Sequence, residues 1–167
     1  GGKPITTVQE MMDAISLNRL YKSGLIGKAV IRTILTAKQE NLHSKFNDSN
    51  TGVIANISRA KRFKDTLHES IALYATSLEA VRGFTYYKEE IIASYLTSLS
   101  GKIIELATGE GKTIISACSA VSRVIAGQTG LIFTTKPNSS KDGYIENIEA
   151  LELLGIKGGV VSQKDKS

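Results

Sequence analysis

The sequence predicts an α/β fold, a parallel β-α-β-α-β series preceded by a helical N-terminal segment. Three observations predict it. Apolar residues recur at helical spacing through the first hundred positions. After Gly101 the period changes, and short apolar runs alternate with helix-length stretches. The first of those runs enters a glycine-rich turn that opens directly into a helix.

Taken in order, Thr7-x-x-Glu10 has the form of a capping box, with Val8, Met11, Met12, Ile15 and Leu20 following at roughly helical spacing. A second helix is expected from about Leu25 to His43, with Ile26, Val30, Ile31, Ile34 and Leu35 as its apolar stripe. The stretch from Phe46 through Asn47, Asp48, Ser49, Asn50 and Thr51 to Gly52 reads as a loop. A third helix, about Ala60 to Val81, carries Leu67, Ile71, Tyr74, Leu78 and Val81 on one face as core. Gly83 breaks it, and a fourth helix runs from about Tyr86 to Leu99, closed by Ser100-Gly101. Then come strand Ile103–Leu106, helix Thr113–Ala126, strand Gly130–Thr134, helix Ser140–Leu154 and strand Gly159–Ser162, with turns at Gly127 and Gly155. Such a series implies right-handed crossovers and a ligand site at the carboxyl ends of the strands.

That site coincides with the turn. Thr108-Gly109-Glu110-Gly111-Lys112-Thr113 joins the first expected strand to the next helix. Glycines at 109 and 111 let the backbone curl so that successive N–H groups face one point. The helix start adds unpaired amides and the positive end of its dipole. Lys112 is expected to meet the outer phosphates of a nucleoside triphosphate, and the Thr113 hydroxyl to ligate Mg²⁺. Leu106 stands where the general P-loop pattern has a glycine. Glu110 reads as a loop residue rather than a catalytic one, and no catalytic residue is assigned.

Composition fits a globular chain with a core: apolar content is 41% and charged content 22%. No apolar run is long enough to span a membrane, and no secretory signal is expected. One cysteine, Cys118, excludes an internal disulfide and suits a reducing compartment, as a small buried helix residue. His43 and His68 lack metal-ligand spacing. The net charge of +5 is concentrated early, since eleven Lys/Arg face five Asp/Glu before Thr66. Its densest cluster is Arg59, Lys61, Arg62 and Lys64, suited to anionic lipid, nucleic acid or an acidic protein. Two regions follow: 1–66, helical and basic, and 67–167, the first part of a P-loop nucleotide-binding domain.

Gly101 through Thr113 resembles the phosphate loop of the bacterial preprotein translocase ATPase family SecA, whose pattern runs Ile-Ala-Glu-Met, one variable residue, then Thr-Gly-Glu-Gly-Lys-Thr. Leu106 takes the place of that family's Met. Arg82-Gly83-Phe84 resembles its Arg-x-Phe, and Leu153-Leu154-Gly155-Ile156 its Leu-Gly-Leu. The resemblance implies the N-terminal part of a RecA-like, DEAD-like nucleotide-binding domain. It further implies that the amides of Thr108 to Thr113 cradle phosphates. Where the family reads adenine with Gln, this chain has Tyr87 or, counted back from the loop, Ile91. Tyr87 or Tyr86 is the residue expected to stack on a base, with Tyr87 assigned to the site.

The function expected is therefore ATP binding, with Mg²⁺, within a SecA-like motor that couples hydrolysis to protein translocation. The second carboxylate motif is not found, because Asp142, Glu146, Glu149, Glu152 and Asp165 end no apolar strand. The 167 residues thus read as the front of a larger motor, with little turnover alone. Implied partners are nucleotide, unfolded polypeptide and a membrane channel, with anionic lipid at the basic segment. The implied location is cytoplasmic, peripheral at the membrane. Two alternatives stand beside this: a superfamily 2 helicase-like, nucleic-acid-dependent ATPase, suggested by the basic segment and Thr134-Thr135-Lys136, and a non-catalytic SecA-like interaction module.

Overall fold

A computed structural model of the chain describes residues 17–47, 51–83, 85–99, 103–107, 109 and 111–161. Residues 17–22 are helical. Five helices follow: α1 Lys28–Ser44, α2 Val53–Arg82, α3 Lys88–Ser98, α4 Lys112–Ile125 and α5 Pro137–Leu153. The expected helix over Thr7 to Leu20 lies mostly outside the described residues.

Helix α2 is the central element. Its 30 residues span about 45 Å at 1.5 Å per residue, and it packs against each of the other four helices. The stripe expected of it is observed: Leu67, Ile71, Tyr74 and Leu78 are buried, with Val81 partly so. Each such side chain contributes roughly 1.5–3 kcal/mol by leaving water. Helix α4 adds Ile115, Cys118, Val121 and Ile125 at three- and four-residue spacing, which places them on one face. From α1 come Ile31 and Leu35, whereas Val30 of the expected stripe faces solvent. Ala150 and Leu153 close the core from α5.

Polar contacts inside the bundle tie helices distant in sequence. The Tyr74 hydroxyl donates to Asn147 Oδ1, and Asn147 Nδ2 donates to the Gly143 carbonyl at 2.8 Å. Tyr74 meets Tyr86 edge to face, with ring centroids 6.3 Å apart. The Tyr86 hydroxyl pairs with Ser94 Oγ, and Cys118 lies against both. Arg123 donates to the Ser98 carbonyl at 2.6 Å while its guanidinium stacks 4.0 Å over the Phe63 ring, so one side chain joins α2, α3 and α4. His43 Nδ1 donates to the Ile125 carbonyl at 2.9 Å, which satisfies an acceptor at the end of α4. Thr36 Oγ1 donates to Leu153 O at 3.1 Å, and Gly155 follows at φ 69°. A Cβ at Gly155 would stand 2.8 Å from Thr36 Cγ2, so glycine is required there by both backbone and space.

Burial sets a pH limit on this core. The Cys118 thiol is pushed up from 9.0 to about 12, chiefly by burial, and burial raises Tyr74 and Tyr86 as well. A raised acid favours the protonated, folded form, so its contribution is complete below about pH 9 and is lost as pH climbs toward 12. Denaturation midpoints should therefore be flat from pH 7 to 9 and fall steadily above. A midpoint that holds to pH 11 would contradict the buried thiol and phenols.

The expected parallel sheet is not observed. Among the described residues there is no strand: residues 103–107, 128–134 and 157–161 have neither helical nor ladder structure. Several of their apolar side chains stay in water, with Leu131 70%, Phe133 89% and Val161 91% exposed. The physical reason is that a strand is stabilised only by a ladder partner and by cover on its faces. Here α2, α4 and α5 bury their apolar faces against one another, and these runs border them without pairing. The P-loop β-α-β-α-β reading is corrected to a helical bundle joined by extended segments. Ser162 of the third expected strand lies outside the described residues.

Candidate functional site

The predicted loop residues converge on the start of α4. Gly109 and Gly111 have φ of 88° and 70°, both in the left-handed region. Gly111 is the N-cap of α4, and the first helical bond runs from Ile115 N–H to the Gly111 carbonyl at 3.0 Å. The amides of the first turn therefore have no carbonyl one turn behind them, and they point outward with the helix dipole. Lys112 and Thr113 occupy that first turn and are exposed. Thr108 and Glu110 lie outside the described residues.

Tyr87 lies at the neighbouring helix end. It is the N-cap of α3 and 66% exposed, whereas Ile91, the other position considered for base contact, packs against the core. One carboxylate links the two helix starts. Glu90 Oε2 accepts from the Tyr87 N–H at 2.8 Å, and a Cβ built on Gly111 would stand 2.6 Å from Glu90 Oε1. Gly111 is thus fixed by its left-handed backbone, with the flexible end of Glu90 beside it. Gly111→Ala is expected to destabilise the chain by about 1–3 kcal/mol through backbone strain, and to weaken any ligand held at the α4 amides. Thermal unfolding of the variant checks the first effect, and an unchanged midpoint would contradict it.

On its other side α4 faces α5 across a groove of about 560 Å³. Lys112 and Thr113 line one end, Ala120 and Tyr144 its walls, and Phe133 and Val161 its exposed rim. The segment after α4 lies close, since a Cβ on Gly130 would stand 2.6 Å from the Ala120 carbonyl. Thr113 packs toward α5, its Cγ2 3.3 Å from where a Gly143 Cβ would be.

The structure therefore brings together Gly109, Gly111, Lys112, Thr113 and, across Glu90, Tyr87. The sequence reading passed over Glu90. The signal was an acidic residue three positions after a helix N-cap, as in a capping box. Asp142, Glu146, Glu149 and Glu152 all lie on α5. No group of three His, Cys, Asp or Glu capable of holding a metal occurs among the described residues, and none of their helices is long and apolar enough to cross a membrane.

A sequence profile described as the SecA DEAD-like domain matches residues 7–167. Among curated proteins, the chain is similar to the protein translocase subunit SecA of Clostridium botulinum (strain Okra / Type B1), with 28% identity over 105 residues, 63% of this chain and 12% of that protein. The protein translocase subunit SecA of Mycoplasma mycoides subsp. mycoides SC is 31% identical over 114 residues, 62% of this chain and 12% of that protein. That of Sulfurovum sp. (strain NBC37-1) is 26% identical over 105 residues. The chain thus matches about an eighth of the length of these relatives, 12% in each case. No solved structure matches it.

Proposed function

The chain belongs to the SecA DEAD-like domain family, and from that premise we propose that it is an ATP-binding part of a SecA-like motor coupling ATP hydrolysis to protein translocation. One observation carries the nucleotide reading: two left-handed glycines lead into the exposed first turn of α4, where Lys112 and Thr113 sit side by side.

In this reading the amides from Thr108 to Thr113 hold the phosphates, with Gly109, Glu110 and Gly111 shaping the loop. Lys112 neutralises the outer phosphate oxygens as a point charge. The Thr113 hydroxyl is the ligand this chain offers to Mg²⁺, which when bound would neutralise the phosphate charge. Tyr87, exposed at the neighbouring helix end, contacts the base. Turnover needs a carboxylate that orients water.

The work division follows the charge. Residues 67–167 supply the nucleotide-binding function, and the basic residues of 1–66 supply contact with a partner, although α2 runs unbroken through Thr66. By analogy with relatives named as protein translocases, the partners proposed are an unfolded polypeptide and a membrane channel, with anionic lipid at the basic segment. The location proposed with them is the cytoplasm, peripheral at the membrane.

The test is a panel of ligands at low salt: ATP and ADP with Mg²⁺, and single-stranded RNA. ATP binding without RNA binding is the expected result. Salt-dependent RNA binding would favour the helicase reading instead. Binding of neither would leave the interaction-module reading in its place.

A further inference from the structure

Glu90 carries a consequence for the proposed nucleotide site. Its carboxylate touches both halves of that site at once: Oε2 accepts from the Tyr87 N–H at 2.8 Å, and Oε1 lies against Gly111, where a Cβ would stand 2.6 Å away. Gly111 is the N-cap of α4, so a negative charge sits at the helix start whose amides and dipole would otherwise serve an incoming anion. The carboxylate is part of a helix start rather than a freely moving group, because its other oxygen is held by the α3 N-cap.

We propose that Glu90 is a positioning residue that caps α3 and, from beside Gly111, opposes phosphate at the α4 start until it is displaced. This rests on the nucleotide reading of the loop. Two like charges this close repel strongly where solvent screens them only in part. A phosphate on the α4 amides therefore drives the Glu90 carboxylate away from Gly111. Glu90 is thus a brake set between the phosphate end and the base end of the same site. It forms no covalent bond and moves no proton.

The variants separate charge from shape. Glu90→Gln keeps an acceptor for the Tyr87 N–H and removes the charge, whereas Glu90→Ala removes both. Calorimetric titration of ATP with Mg²⁺ into wild type and both variants, at about 50 mM and about 500 mM salt, reads the charge through its screening. Glu90→Gln is expected to bind about 3- to 30-fold tighter than wild type at low salt, a gain that shrinks at high salt. Its melting midpoint should match that of wild type, while Glu90→Ala should melt lower. A purely structural Glu90 would give no salt-dependent gain. Equal or weaker binding by Glu90→Gln, with wild type binding well, overturns the brake and leaves the nucleotide site standing. Binding by neither wild type nor Glu90→Gln overturns the nucleotide reading, and the brake with it. Binding by Glu90→Gln alone supports both.

Discussion

Truncating Tyr74 to alanine is expected to cost the fold about 3–5 kcal/mol, the largest loss of any single substitution considered for this chain. The ring is fully buried on the C-terminal half of α2, where it meets Tyr86 edge to face and lies within the main apolar cluster. Removing it leaves a cavity between helices that already pack against each other and can close only in part. The hydroxyl adds a separate, smaller effect. Tyr74→Phe keeps the ring but leaves Asn147 Oδ1 without its donor in a buried setting, which should cost about 1–2 kcal/mol. Urea unfolding checks both, with the alanine variant shifting the midpoint well beyond the phenylalanine variant. Equal midpoints for wild type and Tyr74→Ala would mean that α2 is not the centre of the bundle.

The helices were legible because their signal is periodic and local. Ile115, Cys118, Val121 and Ile125 announce α4, and Leu67, Ile71, Tyr74 and Leu78 announce α2. Helix α2 begins at Val53, earlier than about Ala60: Val53, Ile54 and Ile57 stand at helical spacing but are exposed and add nothing to the core. The runs at Ile103–Leu106, Gly130–Thr134 and Gly159–Ser162 were misread for a different reason. A short apolar run has the composition of a buried strand, but whether it forms one depends on a distant partner that the run does not encode. Phe133 and Val161 lie exposed along the groove instead.

The site divides the same way. Gly109, Gly111, Lys112 and Thr113 could be read as a unit because glycine freedom, an ammonium and a hydroxyl are all needed within five residues. Glu90 could not, since its closeness to Gly111 is a tertiary fact that joins α3 to α4. Helix position also separates the two candidates for base contact, for Tyr87 caps α3 in solvent while Ile91 turns inward one turn later.

Replacing Lys112 by alanine is the change expected to affect binding most. The side chain is exposed at the first turn of α4 and bears no part of the core, so its loss should leave the fold intact. A lysine–phosphate contact is charge-assisted, and removing it should cost about 2–3 kcal/mol, or tens to hundreds of fold in affinity. The same argument predicts that ATP loses more than ADP, because the ammonium is assigned to the outer phosphates. The most direct measurement is calorimetric titration of ATP with Mg²⁺ into wild type and Lys112→Ala, each first shown to melt at the same temperature. A wild type that binds and a variant that has lost most of that affinity is the predicted result. Equal affinity in the two proteins, or no binding by the wild type, would contradict a phosphate loop at Gly109–Thr113.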